Sequence, residues 1–312
     1  MHFQIVPTTV CNARCCYCYE NDCTFETMAP DVVDATVSFI KNKVLARKIK
    51  SFNIEWFGGE PLMVMKLIYS MAMEIIEFSS SHNIVVCSEI VTNATKIDKD
   101  VIELIKQMKI SRVHISLDGM KDEYDKRKRY LDNRSHFFEV INAINQLHSS
   151  GIKVMLRINV DRQNIGSCEN LIDYLAVEIS HEIEVHVAPL YGSDKKYLDD
   201  KDVYKTMQYL QNKINSVGFK KSNKKSSSPG LCRYAQQRNY VIKPNGEIIH
   251  CEHLFDSKEA VIGTVFDTEI NESLWMCDNC PHLRICKQGC VDENSINCNQ
   301  CWRGSFHNKS KR

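Results

Sequence analysis

No stretch of this chain approaches the run of about 18 apolar residues that a membrane-spanning helix requires, so a membrane protein of that kind is excluded. Neither charge sign is in excess. Forty Lys and Arg against 39 Asp and Glu leave a formal charge of +1, without the electrostatic footprint of a general nucleic-acid binder. The opening residues, MHFQIVPTTV, lack the basic region, apolar run and small-residue cleavage site of a signal peptide, and a cytoplasmic location is expected. Wholesale disorder is excluded as well, because 43% hydrophobic and 25% charged residues is the balance of a globular protein.

What the chain has in quantity is cysteine, fifteen in all. A disulfide framework does not suit them: the secretion signal is missing, the count is odd, and 312 residues bury enough surface to fold without staples. Metal ligation is the better reading. Cys11, Cys15, Cys16, Cys18 and Cys23 form one group, and Cys232, Cys251, Cys277, Cys280, Cys286, Cys290, Cys298 and Cys301 form another. Cys87 in an expected strand and Cys168 on an expected helix stand apart, and both are expected to be buried small hydrophobes.

Between the groups, apolar β-branched segments at 3–9, 52–57, 83–92, 111–117, 152–160 and 183–190 alternate with amphipathic stretches of helical length. Connections this long imply parallel strands with right-handed crossovers. The expected fold is α/β, a partial (β/α)6 parallel barrel over residues 1–219 with functional loops at the carboxyl ends of its strands. KKSNKKSSSPG at 220–230 reads as a linker. Residues 231–312 then read as a small cysteine-rich, cluster-binding domain, with a β-hairpin turning at Pro244, Asn245 and Gly246. Its scarce apolar content leaves metal ligation to supply folding free energy.

Cys11, Cys15 and Cys18 make a C-x3-C-x2-C loop directly after the first expected strand. Three thiolates leave one iron of a four-iron cluster without a protein ligand, and an open coordination position distinguishes catalytic from structural metal sites. A structural zinc site with Cys16 or Cys23 as fourth ligand is the alternative. WFGGEP follows the second expected strand, and read alone it is equally an ordinary strand-to-helix turn.

On CNARCCYCYE and WFGGEP together the sequence resembles the radical S-adenosylmethionine enzymes that carry a carboxyl-terminal SPASM domain. The resemblance implies that the open iron chelates the amino and carboxylate groups of S-adenosylmethionine, with Tyr17 as the aromatic residue of the loop. It also implies that the motif Gly58, Gly59, Glu60 offers acceptors to the cofactor's ammonium, glycine letting backbone approach a ligand closely. Asn93 lies in TNAT where relatives often have TNGT, so Ala94 puts the glycine turn in question. Ser116 and Asp118 of SLDG match residues that reach the ribose, and Arg157, in RINVDRQN with Asn159 and Asn164, resembles the end of the fifth strand. Where relatives show His-Asp and then an Arg, this chain has Tyr124, Asp125, Arg127 and Arg129; the carboxylate-binding residue stays unassigned and 121–129 reads as a solvated charge cluster.

The second group also follows the resemblance: Cys232, then Gly246 five residues before Cys251, then the C-x2-C-x5-C-x3-C of Cys277, Cys280, Cys286 and Cys290, with Cys298 or Cys301 last. This implies two auxiliary clusters, one on Cys232, Cys251 and Cys290 and one on Cys277, Cys280, Cys286 and a late cysteine, making three [4Fe-4S] clusters in all. Two zinc ions in a ribbon-like module are the alternative.

The implied chemistry is one-electron cleavage of S-adenosylmethionine to a 5′-deoxyadenosyl radical that takes hydrogen from a peptide. Oxidative ring formation, as a thioether or carbon–carbon or carbon–oxygen cross-link, is the leading expectation; epimerisation and sulfatase-type formylglycine formation are the alternatives. A non-enzymatic iron–sulfur or zinc protein is the reading from another class, against which GGEP and the strand repeat weigh. Glu252, directly after Cys251, stands where sulfatase-maturing relatives have a catalytic Asp, and is the expected base. Expected partners are the peptide and a low-potential electron donor such as flavodoxin or ferredoxin. Because the strand pattern begins within three residues of the start, leader recognition is expected from a separate protein or from the barrel. An acidic leader on KKSNKK is a weaker reading than a solvated linker.

Overall fold

The structure is a computed structural model that describes residues 1–18, 24–190, 200–220, 239–250, 252, 255–256 and 258–271. Six strands run parallel: β1 (His2–Ile5), β2 (Ser51–Trp56), β3 (Val85–Thr92), β4 (Ile110–Leu117), β5 (Lys153–Val160) and β6 (Glu184–Pro189). The helices α1 (Pro30–Ala46), α2 (Met65–Ser81), α3 (Lys99–Gln107), α4 (Lys121–Lys128), α5 (Phe137–Ser149), α6 (Ile165–Glu178) and α7 (Asp200–Ser216) lie between and after them. All six expected strands are present, and neighbours in sequence are neighbours in the sheet, the order of a partial barrel.

Local chemistry sets the helix ends. Pro30 opens α1, where a missing N–H costs nothing. Asp98 caps α3 by accepting from Val101 N at 2.8 Å. Gly151, at φ +77°, follows α5 in the left-handed region that ends a helix.

The expected hairpin forms as β7 (Asn239–Ile242) and β8 (Glu247–Ile249), antiparallel and followed by β9 (Val261–Thr264). It does not stand apart from the barrel sheet. β7 pairs in parallel with β1, so one nine-stranded sheet runs β6-β5-β4-β3-β2-β1-β7-β8-β9. Tyr240 drives this, stacking on Phe3 with centroids 5.5 Å apart and meeting Phe39 of α1 edge-on at 5.9 Å. All of the linker but Lys220, and every cysteine of the second group, lie outside the described residues.

On each strand alternate residues face the helices, and that side is apolar: Phe3, Ile5, Ile54, Trp56, Ile90, Val113, Ile115, Leu156 and Ile158 are at most 2% exposed. Cys168 is buried among them on α6, as expected, but Cys87 is exposed, because its strand position points away from the helices. No helix of the described residues is long and apolar enough to cross a membrane.

Candidate active site

At the carboxyl ends of the strands a cavity of about 200 Å³ is lined by Cys11, Cys15, Cys18 and Tyr17 of the first loop. Gly58, Gly59, Thr92, Asn93, Ser116 and Lys128 complete its polar wall, and Phe25 and Phe57 are among its apolar members. The three thiols of C-x3-C-x2-C thus share one space, with the ends of β2, β3 and β4 and the last residue of α4 contributing to the rest.

The cysteine loop does not hold its own shape. Backbone N–H groups of Arg14 and Cys16 donate to the carbonyls of Arg129 (3.0 Å) and Arg127 (2.9 Å), Leu131 N donates to Asn12 O at 2.9 Å, and Ala13 and Tyr130 form a β-bridge. The last turn of α4 and the residues after it are therefore a template for the loop. They are clamped in turn by Arg127, 3% exposed, whose guanidinium donates twice to Asp161 at 2.9 Å and also to Glu123.

The expected solvated cluster at 121–129 is corrected here: Arg127 and Lys128 are buried. Lys128 is the principal site residue that sequence reasoning missed. Its Nζ donates to Ser116 Oγ at 2.7 Å, lies 3.7 Å from Asp118 Oδ2 and sits 5.6 Å from the Tyr17 ring centroid. Burial opposes its charge, but Tyr17, Asp118 and Cys15 around it hold its proton affinity well above the ordinary lysine value. The available signal was Tyr124 and Lys128 at helical i, i+4 spacing, which puts an aromatic on the same face as the cation.

The glycines act on the protein itself. A Cβ on Gly58, at φ +120°, would lie 2.4 Å from Thr8 O, and one on Gly59 would lie 2.4 Å from Val10 O. Only glycine lets this turn dock against residues 8–10, with Gly59 N and Glu60 N donating to Thr8 O and Val10 O. The close approach is made to the segment after β1 that launches the cysteine loop, while both glycines also line the cavity, where the resemblance expects a ligand.

Glu60 is fully buried and is not on the cavity wall. Its carboxylate accepts from Thr92 Oγ1 (2.6 Å), Leu62 N (3.0 Å) and Asn93 N (2.8 Å), so it braces Thr92 and Asn93, which do line the cavity. Burial raises its pKa and these three bonds oppose the rise. Ala94 takes the left-handed turn that relatives give to glycine, at φ 64°.

Tyr17 donates to Asp118, which is buried behind the wall and also accepts from Asn159 Nδ2 at 2.9 Å. Arg157 is exposed and is not on the wall; its Nε donates at 2.8 Å to Oδ1 of Asn159, which is linked to the wall residue Tyr17 through Asp118. Asn164 closes the set by donating to the carbonyls of Asp118 and Asn159. Glu252 is half-buried, and Cys251 beside it falls outside the described residues.

The donor set fits the cluster and cofactor that the resemblance implies. Burial pushes the Cys11 thiol up to about 12, with Glu60, Cys15 and Cys18 adding to the rise, and burial raises Cys15 against the pull of Lys128. Thiols crowded with one another, with the buried carboxylate of Glu60 behind them, are donors that a cation would discharge. Among the described residues no three acidic, thiol or imidazole groups stand ready-made around a metal position. Cys11, Cys15 and Cys18 would hold the cluster, with Lys128 and Asn93 beside it for the charged and polar groups of an amino acid.

Comparisons with known proteins agree with this site. The Radical SAM superfamily profile matches residues 5–175. An Fe-coproporphyrin III synthase of Methanosarcina barkeri is 28% identical over 176 residues, which is 55% of this chain and only 40% of that protein. A cysteine-type anaerobic sulfatase-maturating enzyme of Clostridium novyi is 22% identical over 331 aligned positions, covering 90% of this chain and 84% of its own length. The solved structure of native anSMEcpe with bound AdoMet and Kp18Cys peptide superposes with a TM-score of 0.72 at 17% identity, over 98% of this chain and 96% of that one, a likeness of fold. With more than half of its residues matched, the chain belongs to the Radical SAM superfamily, enzymes that bind a four-iron, four-sulfur cluster and S-adenosylmethionine.

Proposed function

We propose that this enzyme oxidises a residue of a peptide substrate, with ring formation as the leading product. The observation that carries the reading is the wall shared by Cys11, Cys15 and Cys18 with Lys128, Asn93 and Ser116 at the carboxyl ends of parallel strands. The bound cofactor and its cluster supply a radical strong enough to take an unactivated hydrogen atom. Lys128, buried and cationic, would orient a carboxylate by a charge-assisted bond, and Asn93, braced by Glu60 and bonded to Asn12 at 2.7 Å, would hold polar groups beside it. Phe57 and Phe25 keep part of the wall apolar and limit water.

Two of the likenesses support a peptide substrate. The sulfatase-maturating relative aligns along most of its length, and the peptide-bound structure superposes along nearly all of its own. Among relatives named for small-molecule reactions, a GTP 3′,8-cyclase of Clostridium botulinum aligns over 90% of its own length at 23% identity, and the porphyrin-related enzyme over 40%. In this reading Cys232, Cys251, Cys277, Cys280, Cys286, Cys290 and one of Cys298 or Cys301 carry two auxiliary clusters, flavodoxin or ferredoxin supplies electrons, and the enzyme works in the cytoplasm with or without a separate leader-binding protein. Formylglycine formation is the second reading, favoured by the same sulfatase-maturating relative.

The test is anaerobic co-expression with candidate cysteine-containing peptides, followed by mass spectrometry. A ring appears as a loss of two hydrogens with no new aldehyde. Formylglycine made from cysteine appears as replacement of sulfur by a carbonyl oxygen. An unchanged mass with one solvent deuterium at an α-carbon indicates epimerisation and overturns oxidation, as does zinc in place of iron.

A further inference from the structure

A pair of titratable groups on the inner face of the sheet serves neither the cysteine loop nor the fold's apolar core. Val113, Ile115 and Leu117 of β4 are at most 1% exposed toward the helices, so His114 and Ser116 alternate onto the lumen. Ser116 lines the cavity, and so does Val91, which faces His114 across the β3–β4 pair. His114 is not itself on that wall; it points into the lumen beneath it, about 7 Å along the strand from Ser116 and beside Val91.

His114 is oriented as well as placed. Its Nε2 is 2.8 Å from Glu89 Oε2, while Arg112 lies 3.4 Å from the other oxygen of that carboxylate. No partner of its Nδ1 occurs among the described residues, and the side chain is 18% exposed. A neutral imidazole that donates Nε2–H to a carboxylate presents Nδ1 as an acceptor, and the carboxylate stabilises the imidazolium formed when that acceptor takes a proton.

We propose that His114, oriented by Glu89, is the base that receives the substrate's proton in the oxidation described above; the inference rests on that reading. Removing two hydrogens takes one as an atom from carbon, which the cofactor's radical accepts. The substrate radical then bonds to a neighbouring O, N or S, whose bond to hydrogen breaks. The proton goes to Nδ1 of His114, and the surplus electron goes to a one-electron acceptor of the iron–sulfur class. Glu252 is the rival base that the sequence nominates.

The test compares wild type, His114→Gln, His114→Gly, Glu89→Gln and Glu252→Gln, using as probe the peptide that wild type oxidises. His114→Gln is expected to lower peptide oxidation at least ~100-fold, the range for loss of a positioned base, with iron content and S-adenosylmethionine affinity within about twofold. Millimolar imidazole should restore much of the oxidation by His114→Gly. Wild-type rates in His114→Gln, or cluster-loaded His114→Gly that imidazole does not rescue, overturn the assignment and leave the proposed function standing. Wild type that cleaves S-adenosylmethionine but oxidises no candidate peptide overturns the proposed function, and this base with it.

Discussion

The two faces of the nine-stranded sheet are built from opposite chemistry. Toward the helices, Phe3, Ile54, Trp56, Ile90 and Val113 pack without exposure. Toward the lumen, Gln4 donates to Glu55 at 3.0 Å, His114 meets Glu89, and Arg112 lies between Glu89 and Glu184. A closed eight-stranded barrel fills its interior with branched apolar side chains. Here stability resides in the shell between sheet and helices, and the lumen face is left polar.

That contrast is open to direct attack. The largest effect is expected from replacing Cys11, Cys15 and Cys18 together by Ala: no cleavage of S-adenosylmethionine, and, for a protein of three four-iron clusters, iron per chain lower by about one third. Chromatographic detection of 5′-deoxyadenosine and a colorimetric iron assay check it; residual cleavage would break the link between cavity and chemistry.

Next comes the shell. Trp56→Ala removes a fully buried ring, and its Nε1–H bond to Ser88 at 3.0 Å, and should cost about 3–5 kcal/mol in denaturant unfolding. Glu55→Gln, on the lumen face of the same strand, should cost about 1 kcal/mol or less. Equal losses would erase the division between the faces.

Within the cavity, Lys128→Met should weaken S-adenosylmethionine binding about 10- to 100-fold, the worth of a hydrogen bond to a charged group, while Lys128→Arg keeps part of it. Calorimetric titration of cluster-loaded protein measures both. The smallest effect is expected at Ala94, whose left-handed backbone is strained for a residue with a Cβ. Ala94→Gly should stabilise by roughly 0.5–1 kcal/mol, the relief of strain less the extra entropy of glycine.

Much of this was legible in the sequence because it is local. The six strands announce themselves as β-branched runs, and C-x3-C-x2-C and GGEP are contiguous words. What was not legible depends on partners distant along the chain. Arg127 and Lys128 sit in KDEYDKRK, a string that reads as a solvated helix, and they are buried because Asp161, 34 residues on, and Ser116 receive their charges. Cys87 was expected to be buried, and its exposure follows from the face of β3 on which it falls.

The glycines show the same limit from the other side. Their presence marks a close approach, but only the fold reveals that residues 8–10, some fifty positions earlier, are what approaches. The template for the cysteine loop is equally invisible beforehand, because backbone bonds between residues 12–16 and 127–131 carry no side-chain signature.

The sequence by itself determined the strand–helix repeat, the cysteine spacing and the motifs that mark a radical enzyme, since each is written in neighbouring residues whose period or spacing has one physical use. Tertiary structure alone decided which charges are buried, that Glu60 braces the wall instead of lining it, that the hairpin extends the barrel sheet through Tyr240 on Phe3, and that His114 meets Glu89 of the neighbouring strand on the lumen face. These are matters of which distant groups meet, and burial, pairing and orientation are properties of the meeting and not of either partner.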